Sequence, residues 1–318
     1  MLVAYKHDEE HILQPVDLDT ADKGSWIHAT DPTDAEVERL AAISEIPASE
    51  FRSALDPEER SHVEWEEDFI YVVINTPMLR KDDNNYDTLP LGIFVTPRFF
   101  ITVTLEETDV ISVFLENRFN TFRTYKKTRF LFQIMSRTAT LFLRALQEIN
   151  HRTETIETQV RESMKNKEFF QLLELQKSLT YFTSALKANG IVMEKLLRLR
   201  NSIQQRPILK MYEEDEDLLE DVIVENNQAI ETVSMYSNIL ISMMDAFASI
   251  ISNNLNRVMK FMTAMTILLS MPTVVFSLWG INVPVPWQEA PYGFVAVFGV
   301  SMAIMLTAAY FLWRRDLF

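Results

Sequence analysis

The chain of 318 residues contains no cysteine, which excludes disulfide frameworks and Cys-based zinc sites. Its five histidines, His7, His11, His28, His62 and His151, are scattered without metal-ligand spacing. Positive charge is also scarce: 30 Lys and Arg stand against 45 Asp and Glu, a formal net charge of −15. That balance argues against a nucleic-acid partner, which requires a basic face. It is compatible with a protein that attracts cations, as it is with many acidic proteins that bind none. No phosphate-binding loop, kinase motif set or nucleophile motif occurs, so catalysis is not expected. The N-terminus turns acidic soon after Met1 and lacks the pattern of a signal peptide.

The most informative absence is of charge near the C-terminus. From Phe261 to Trp313 the only formal charge is Glu289. The mean hydropathy of −0.02 therefore averages two unlike regions. Phe261–Trp279 and Tyr292–Trp313 are each long enough to cross a bilayer core. They are joined by a short connection, Gly280 to Pro291, that holds Pro284, Pro286 and Pro291 but no Lys or Arg. Arg257 and Lys260 precede the first segment, and Arg314 and Arg315 follow the second. A hairpin with both ends on the basic, cytoplasmic side is expected, with Trp279, Trp287, Tyr292, Tyr310 and Trp313 near its interfaces.

Upstream, residues 1–125 read as an α/β domain. β-rich runs at Ser25–His28, Phe69–Ile74, Leu91–Val95 and Phe99–Val103 are punctuated by Pro, Asp, Asn or Gly. Thr33 followed by Asp34 and Glu36 is a helix start, and Asp56-Pro57-Glu58-Glu59-Arg60 is a second one with Pro at the first helical position. Asp82-Asp83-Asn84-Asn85 is a polar hairpin or loop between strands. From about Ser112 the periodicity becomes helical, with breaks at Asn166-Lys167 and Arg206-Pro207, and residues 126–256 form a long-helix stalk. The last helix, starting near Ile208, meets no breaker before Pro272 and would extend about 95 Å to that point. A helix of that length must bundle with copies of itself, enter a membrane, or do both. Its start is crowded with Glu213, Glu214, Asp215, Glu216, Asp217, Glu220 and Asp221. These carboxylates complement the helix dipole on a solvated end, or they form a cation-sensing surface between subunits.

The third region, 257–318, is the transmembrane hairpin, and its first helix is patterned. Asn256, Thr263, Thr266, Ser270, Thr273 and Ser277 recur at spacings of seven, three, four, three and four, which places them on one helical face. Upstream the same face takes in Asp245, Ser249 and Ser252. Small polar residues also let transmembrane helices pack closely, but a stripe of this length favours a water-facing pore lining. Met259 and Met262 lie near the stripe at its cytoplasmic end. They fit a hydrophobic constriction that gates by dewetting, or ordinary packing. Two helices cannot enclose a polar path alone, so transport requires several subunits.

These residues resemble the CorA metal ion transporters. The family signature, Gly-Met-Asn after the first transmembrane helix, reads Gly280-Ile281-Asn282 here, with Ile in the middle place. It follows Asn256-Arg257-Val258-Met259-Lys260, which matches the family's Asn-x-x-Met-Lys run, and Met271-Pro272 within the helix. Trp26-Ile27-His28, Asp31-Pro32-Thr33, Asp56–Arg60 and Phe100-Ile101-Thr102-Val103 look similar to elements of its soluble part, in the same order.

The resemblance implies a funnel-shaped homopentamer in the cell membrane, with an α+β cytoplasmic domain, a long-helix bundle, two C-terminal transmembrane helices and both termini cytoplasmic. It implies a divalent cation channel, with Gly280, Ile281 and Asn282 as an outer selectivity ring whose Asn carbonyls contact a hydrated ion. Asn256, Ser270, Thr273 and Ser277 fall at its pore positions, and Asp245 at an acidic ring. Asp221 falls at a regulatory divalent site whose second acid comes from the N-terminal domain, with Asp82, Asp83 and Asp87 as candidates. Mg²⁺, which gives up its waters reluctantly, suits amide oxygens that grip a hydration shell. Mg²⁺ is favoured over Zn²⁺ or a broader range including Co²⁺ and Ni²⁺, because no His or Cys is present to ligate dehydrated zinc. The rival class is a membrane-anchored signalling or scaffold protein, which would need no polar stripe through one helix only.

Overall fold

The computed structural model of the chain describes residues 1–8, 12–80, 82, 84–116, 121–162, 166–198, 208–287 and 289–315. They divide into two compact units, Met1–Ser242 and Met243–Phe318.

The first unit is built on a seven-stranded sheet of order β2-β1-β3-β7-β6-β5-β4. The strands are β1 (Leu2–His7), β2 (Leu13–Val16), β3 (Trp26–Thr30), β4 (His62–Trp65), β5 (Ile70–Arg80), β6 (Asn85–Val95) and β7 (Phe100–Thr104). Only the β3–β7 pair is parallel, the others being antiparallel. Alternation along β5 sends Ile70, Val72 and Ile74 to one face and Tyr71 and Val73 to the other, and all five are buried. Helices α1 (Asp34–Ser44) and α2 (Ala48–Ser53) cover the second face through Val37, Leu40 and Phe51. The first face is covered by α3 (Asp109–Leu115), α4 (Lys127–Glu162), α5 (Asn166–Arg198) and the start of α6 (Glu213–Trp279), through Val110, Phe130, Ile134, Met193 and Leu219. Sheet and long helices thus share one core.

Local chemistry explains several departures from the sequence expectations. Asp56–Arg60 is a turn, not a helix start. The Asp56 carboxylate accepts from the Glu58 N–H at 3.0 Å, its carbonyl accepts from Glu59 at 3.0 Å, and β4 follows. An Asx turn competes directly with a helix cap at such a position. The expected strands at Phe69–Ile74 and Leu91–Val95 continue to the hairpin, where Arg80 faces Asn85. The helical stretch expected from Ser112 is interrupted after α3, and α4 begins only at Lys127. Between them Phe122 and Thr124 are fully buried, and Phe122 packs 4.3 Å from the Phe130 ring and 5.8 Å from Trp26. The last long helix begins at Glu213 rather than near Ile208. Ile208, Leu209 and Met211 are instead buried in the core, and the Asp215 carboxylate reaches back to the Tyr212 N–H at 3.2 Å to cap the helix.

Two buried polar clusters fix registers. Asn189 of α5, fully buried, accepts from the Asn75 N–H and the Ser61 hydroxyl, and donates to the Asn75 carbonyl. It ties the helix to the sheet. Across the parallel β3–β7 pair, Thr102 receives the Trp26 indole N–H at 2.9 Å, and its hydroxyl meets His28 Nδ1 at 2.8 Å. The Thr30 hydroxyl is 2.8 Å from His28 Nε2. Burial pushes the His28 pKa down to about 4 from 6.5, so the folded protein holds this ring neutral.

Because the unfolded chain protonates His28 at higher pH, this residue's contribution to stability is complete above pH 6.5. It is lost as pH falls through about 4, a loss of roughly 3 kcal/mol from this group. Denaturant unfolding between pH 6.5 and 4 should therefore lose stability more steeply for wild type than for His28→Gln; equal slopes would contradict the assignment.

Candidate functional site

The second unit contains the C-terminal part of α6, the connection after it, and α7 (Gly293–Arg314). Both helices contain windows long and apolar enough to cross a membrane, and within those windows only 6% and 11% of residues are buried by the chain itself. α6 runs unbroken for 67 residues with Pro272 inside it. The helix thus continues through Pro272 without the N–H that would have bonded the Leu268 carbonyl.

Within this unit α6 separates into two faces. Asp245, Ser249, Ser252, Asn256, Met259, Met262, Thr263, Thr266, Ser270, Thr273 and Ser277 are all exposed. Met259 falls three residues after Asn256 and four before Thr263, so it completes the alternation of three and four. Met262 flanks that line. Along the apolar segment the less exposed residues are Ala264, Met265, Leu268, Met271, Pro272, Val275 and Trp279. At about 100° per residue they centre on the side of α6 opposite the polar stripe. On α7 the corresponding shielded series is Gly293, Val297, Ser301, Met305, Ala308 and Leu312, again at spacings of three or four. Each helix of the second unit thus has one shielded face, and on α6 it lies away from the polar stripe. The polar stripe therefore does not serve packing within the chain.

Three of the stripe hydroxyls bond to their own helix. Thr266 Oγ1 donates to the Met262 carbonyl at 2.8 Å, Ser270 to Ile267 at 2.8 Å, and Thr273 to Leu269 at 3.3 Å. Each donor is satisfied while the oxygen lone pairs stay turned outward, a row of neutral acceptors suited to water or a hydrated cation. Thr307 on α7 makes the same bond to Ala303 at 2.7 Å, so back-bonding alone is not the signal. The signal is its repetition on one open face. Two shallow grooves lie along this face, one of ≈ 760 Å³ beside Ser249, Ser252, Asn256 and Met259, the other of ≈ 460 Å³ beside Ser270, Thr273 and Ser277.

At its C-terminal end α6 stops at Trp279, and the Gly280 N–H still bonds the Phe276 carbonyl at 2.9 Å. Ile281 and Asn282 follow in a bend, both exposed. A Cβ placed on Gly280 would lie 3.5 Å from the Phe276 carbonyl oxygen, an ordinary contact. Steric need within one chain therefore does not explain a glycine here.

The acidic candidates lie in the first unit. Asp221 is exposed on α6, and Asp82 is exposed in the β5–β6 turn. Asp83 lies outside the described residues. Asp87 on β6 is committed elsewhere: it is 3.6 Å from Arg80 Nη2, and it accepts from the Thr88 N–H at 2.8 Å. Arg80 also pairs with Glu106 at 2.5 Å. This pairing, invisible in the sequence because it needs the β5–β6 register, weakens Asp87 as a cation ligand and leaves Asp82 the freer carboxylate. Among the described residues no three His, Asp or Glu side chains gather as a metal cluster.

The CorA-like Mg²⁺ transporter protein family matches residues 21–315. A cobalt/magnesium transport protein, CorA of Methanocaldococcus jannaschii, is 26% identical over 301 residues, covering 92% of this chain and 90% of that protein. The complete structure of the CorA magnesium transporter from the same organism aligns with a TM-score of 0.82 at 24% identity, over 98% of this chain and 96% of that one. The full-length CmaX protein aligns with a TM-score of 0.71 at 16% identity, over 99% and 97%.

Since nothing in the chain crowds position 280, Gly280→Ala should fold and insert normally, with stability within about 0.5 kcal/mol of wild type. A large loss of stability, measured by thermal unfolding in detergent, would show a packing role that the single chain does not reveal.

Proposed function

The chain belongs to the CorA-like Mg²⁺ transporter family, and from that premise we propose that it carries Mg²⁺ into the cell through a homopentameric pore lined by α6. The observation that carries this reading is the exposed line of Asn, Thr and Ser on α6, on the side opposite its shielded face. Arranged around an axis, five such lines enclose a path of neutral oxygens, and α7 meets lipid.

In this reading both termini are cytoplasmic and Gly280-Ile281-Asn282 forms the outer ring. A ring of amide oxygens can hydrogen-bond the first-shell waters of Mg²⁺ without stripping them, which suits an ion that dehydrates reluctantly. The glycine keeps the mouth wide and its backbone near the axis. Ile281 is an apolar replacement for the family's Met and adds no ligand for a dehydrated transition metal. The membrane potential supplies the drive: about 4.6 kcal/mol for a divalent ion at 100 mV, directed inward. Met259 and Met262, both more than half exposed in the chain, would form the apolar constriction nearer the cytoplasm.

For regulation, Asp221 and Asp82 are the proposed carboxylates that bind internal Mg²⁺ across a subunit boundary. Both are exposed oxygen donors, the chemistry a hard cation selects.

Two outcomes are expected in liposomes containing the full chain. Asn282→Ala should lower Mg²⁺ flux by about tenfold or more, the loss of a few hydrogen bonds to the hydrated ion. Unchanged flux for each of Mg²⁺, Co²⁺, Ni²⁺ and Zn²⁺ would end the selectivity-ring assignment, and the same panel decides which ion the pore prefers. Asp221→Lys should keep the pore conducting at internal Mg²⁺ concentrations that close wild type, and an unchanged response would remove Asp221 from gating.

A further inference from the structure

The connection between α6 and α7 is held in one shape by features that the transport reading does not use. Trp287 adopts φ +64°, a left-handed conformation that a bulky side chain rarely enters. Its ring lies parallel to that of Trp279, the last residue of α6, with centroids 6.0 Å apart and planes inclined by 17°. Its carbonyl accepts from the Ala290 N–H at 3.2 Å, and Gly293 in turn donates to the Ala290 carbonyl at 2.9 Å. A Cβ on Gly293 would lie 2.4 Å from the Trp287 oxygen, so only glycine fits there. Trp287 is thus gripped by an indole on one side and by the first residue of α7 on the other. Between it and Asn282 stand Pro284 and Pro286, which fix their own φ angles and stiffen the tether.

We propose that Trp287, through its stack on Trp279, is a positioning residue for Gly280-Ile281-Asn282. It sets where the Asn282 amide sits, and with it the discrimination between hydrated divalent cations. This rests on the selectivity-ring reading above. Trp287 touches no ion; it acts by closing the segment 280–287 into a loop anchored at both ends, so that the amide is aimed before an ion arrives.

The test is the Mg²⁺-to-Co²⁺ flux ratio of the full-length protein in liposomes. Trp287→Gly accommodates the positive φ and deletes the ring but also loosens the backbone, so Trp279→Ala, which removes the same stack and leaves residue 287 unchanged, is measured beside it. Both are expected to shift the ratio severalfold to about tenfold, as misplacement of an orienting group does. Trp287→Phe, which keeps a flat ring, should restore the wild-type ratio. Gly293→Ala, which pushes the Trp287 carbonyl from the other side, should shift it as Trp287→Gly does. If Trp287→Gly fails to assemble, Trp279→Ala removes the same stack from the helix side. A ratio unchanged in assembled Trp287→Gly (or Trp279→Ala) and in Gly293→Ala, while Asn282→Ala alters transport, overturns the positioning role and leaves the ring intact. If Asn282→Ala also changes nothing, both fall together.

Discussion

A bilayer core offers no partner to a polar group, and α6 carries a row of hydroxyls into a segment, Phe261–Trp279, that is otherwise apolar. Donors must be satisfied within the helix, and Thr266, Ser270 and Thr273 do this by bonding carbonyls one turn back. Their acceptors stay exposed on the side opposite the shielded face of α6, in a row that the single Thr307 of α7 does not match. The proposed function starts from that row: several chains, an axis, and water along it are what it is proposed to serve.

The spacing of the stripe adds a geometric consequence. Steps of three and four average 3.5 residues, whereas a straight helix turns every 3.6, so the line drifts by about 20° per heptad. Copies of α6 that keep this line turned toward a common axis must wrap around each other with left-handed twist. The buried positions Leu219, Val222, Asn226, Ala229 and Val233 in the first unit follow the same alternation. One helix thus carries a heptad pattern in both units, against its neighbours in the first and on its open face in the second.

Much of this was legible in the sequence because the governing signals are local. The helices that hold the two apolar segments end at Trp279 and Arg314, the first where Gly280 and the prolines follow and the second where Arg314 and Arg315 stand. The Thr33 cap forms with Glu36 as a reciprocal pair, and the central strands are where runs of β-branched residues put them. What escaped depends on partners distant in sequence. β1, β2 and β4 were not anticipated: β2 is four residues with Pro15 within it, tolerable only at a sheet edge. Asp56–Arg60 carries helix-start chemistry but forms a turn, because the alternating His62–Trp65 run claims the next position in the sheet. Asp87 cannot be told from Asp82 until the hairpin register brings Arg80 beside it. The stack of Trp287 on Trp279 is hidden for the same reason: both read as interfacial aromatics, and only the folded connection shows that they meet.

The claim on which the rest depends is that the stripe faces water, and the chain's lack of cysteine makes it directly measurable. Single cysteines at Thr266, Ser270, Thr273 and Ser277, and for comparison at Phe276 and at Leu306 on α7, can be exposed to a charged, membrane-impermeant thiol reagent during Mg²⁺ uptake. The account predicts that the four stripe positions are modified and uptake is blocked, while the two comparison positions, facing lipid, stay unmodified. Stripe cysteines that remain inert in a transporting protein, or that react no faster than those at Phe276 and Leu306, would contradict it.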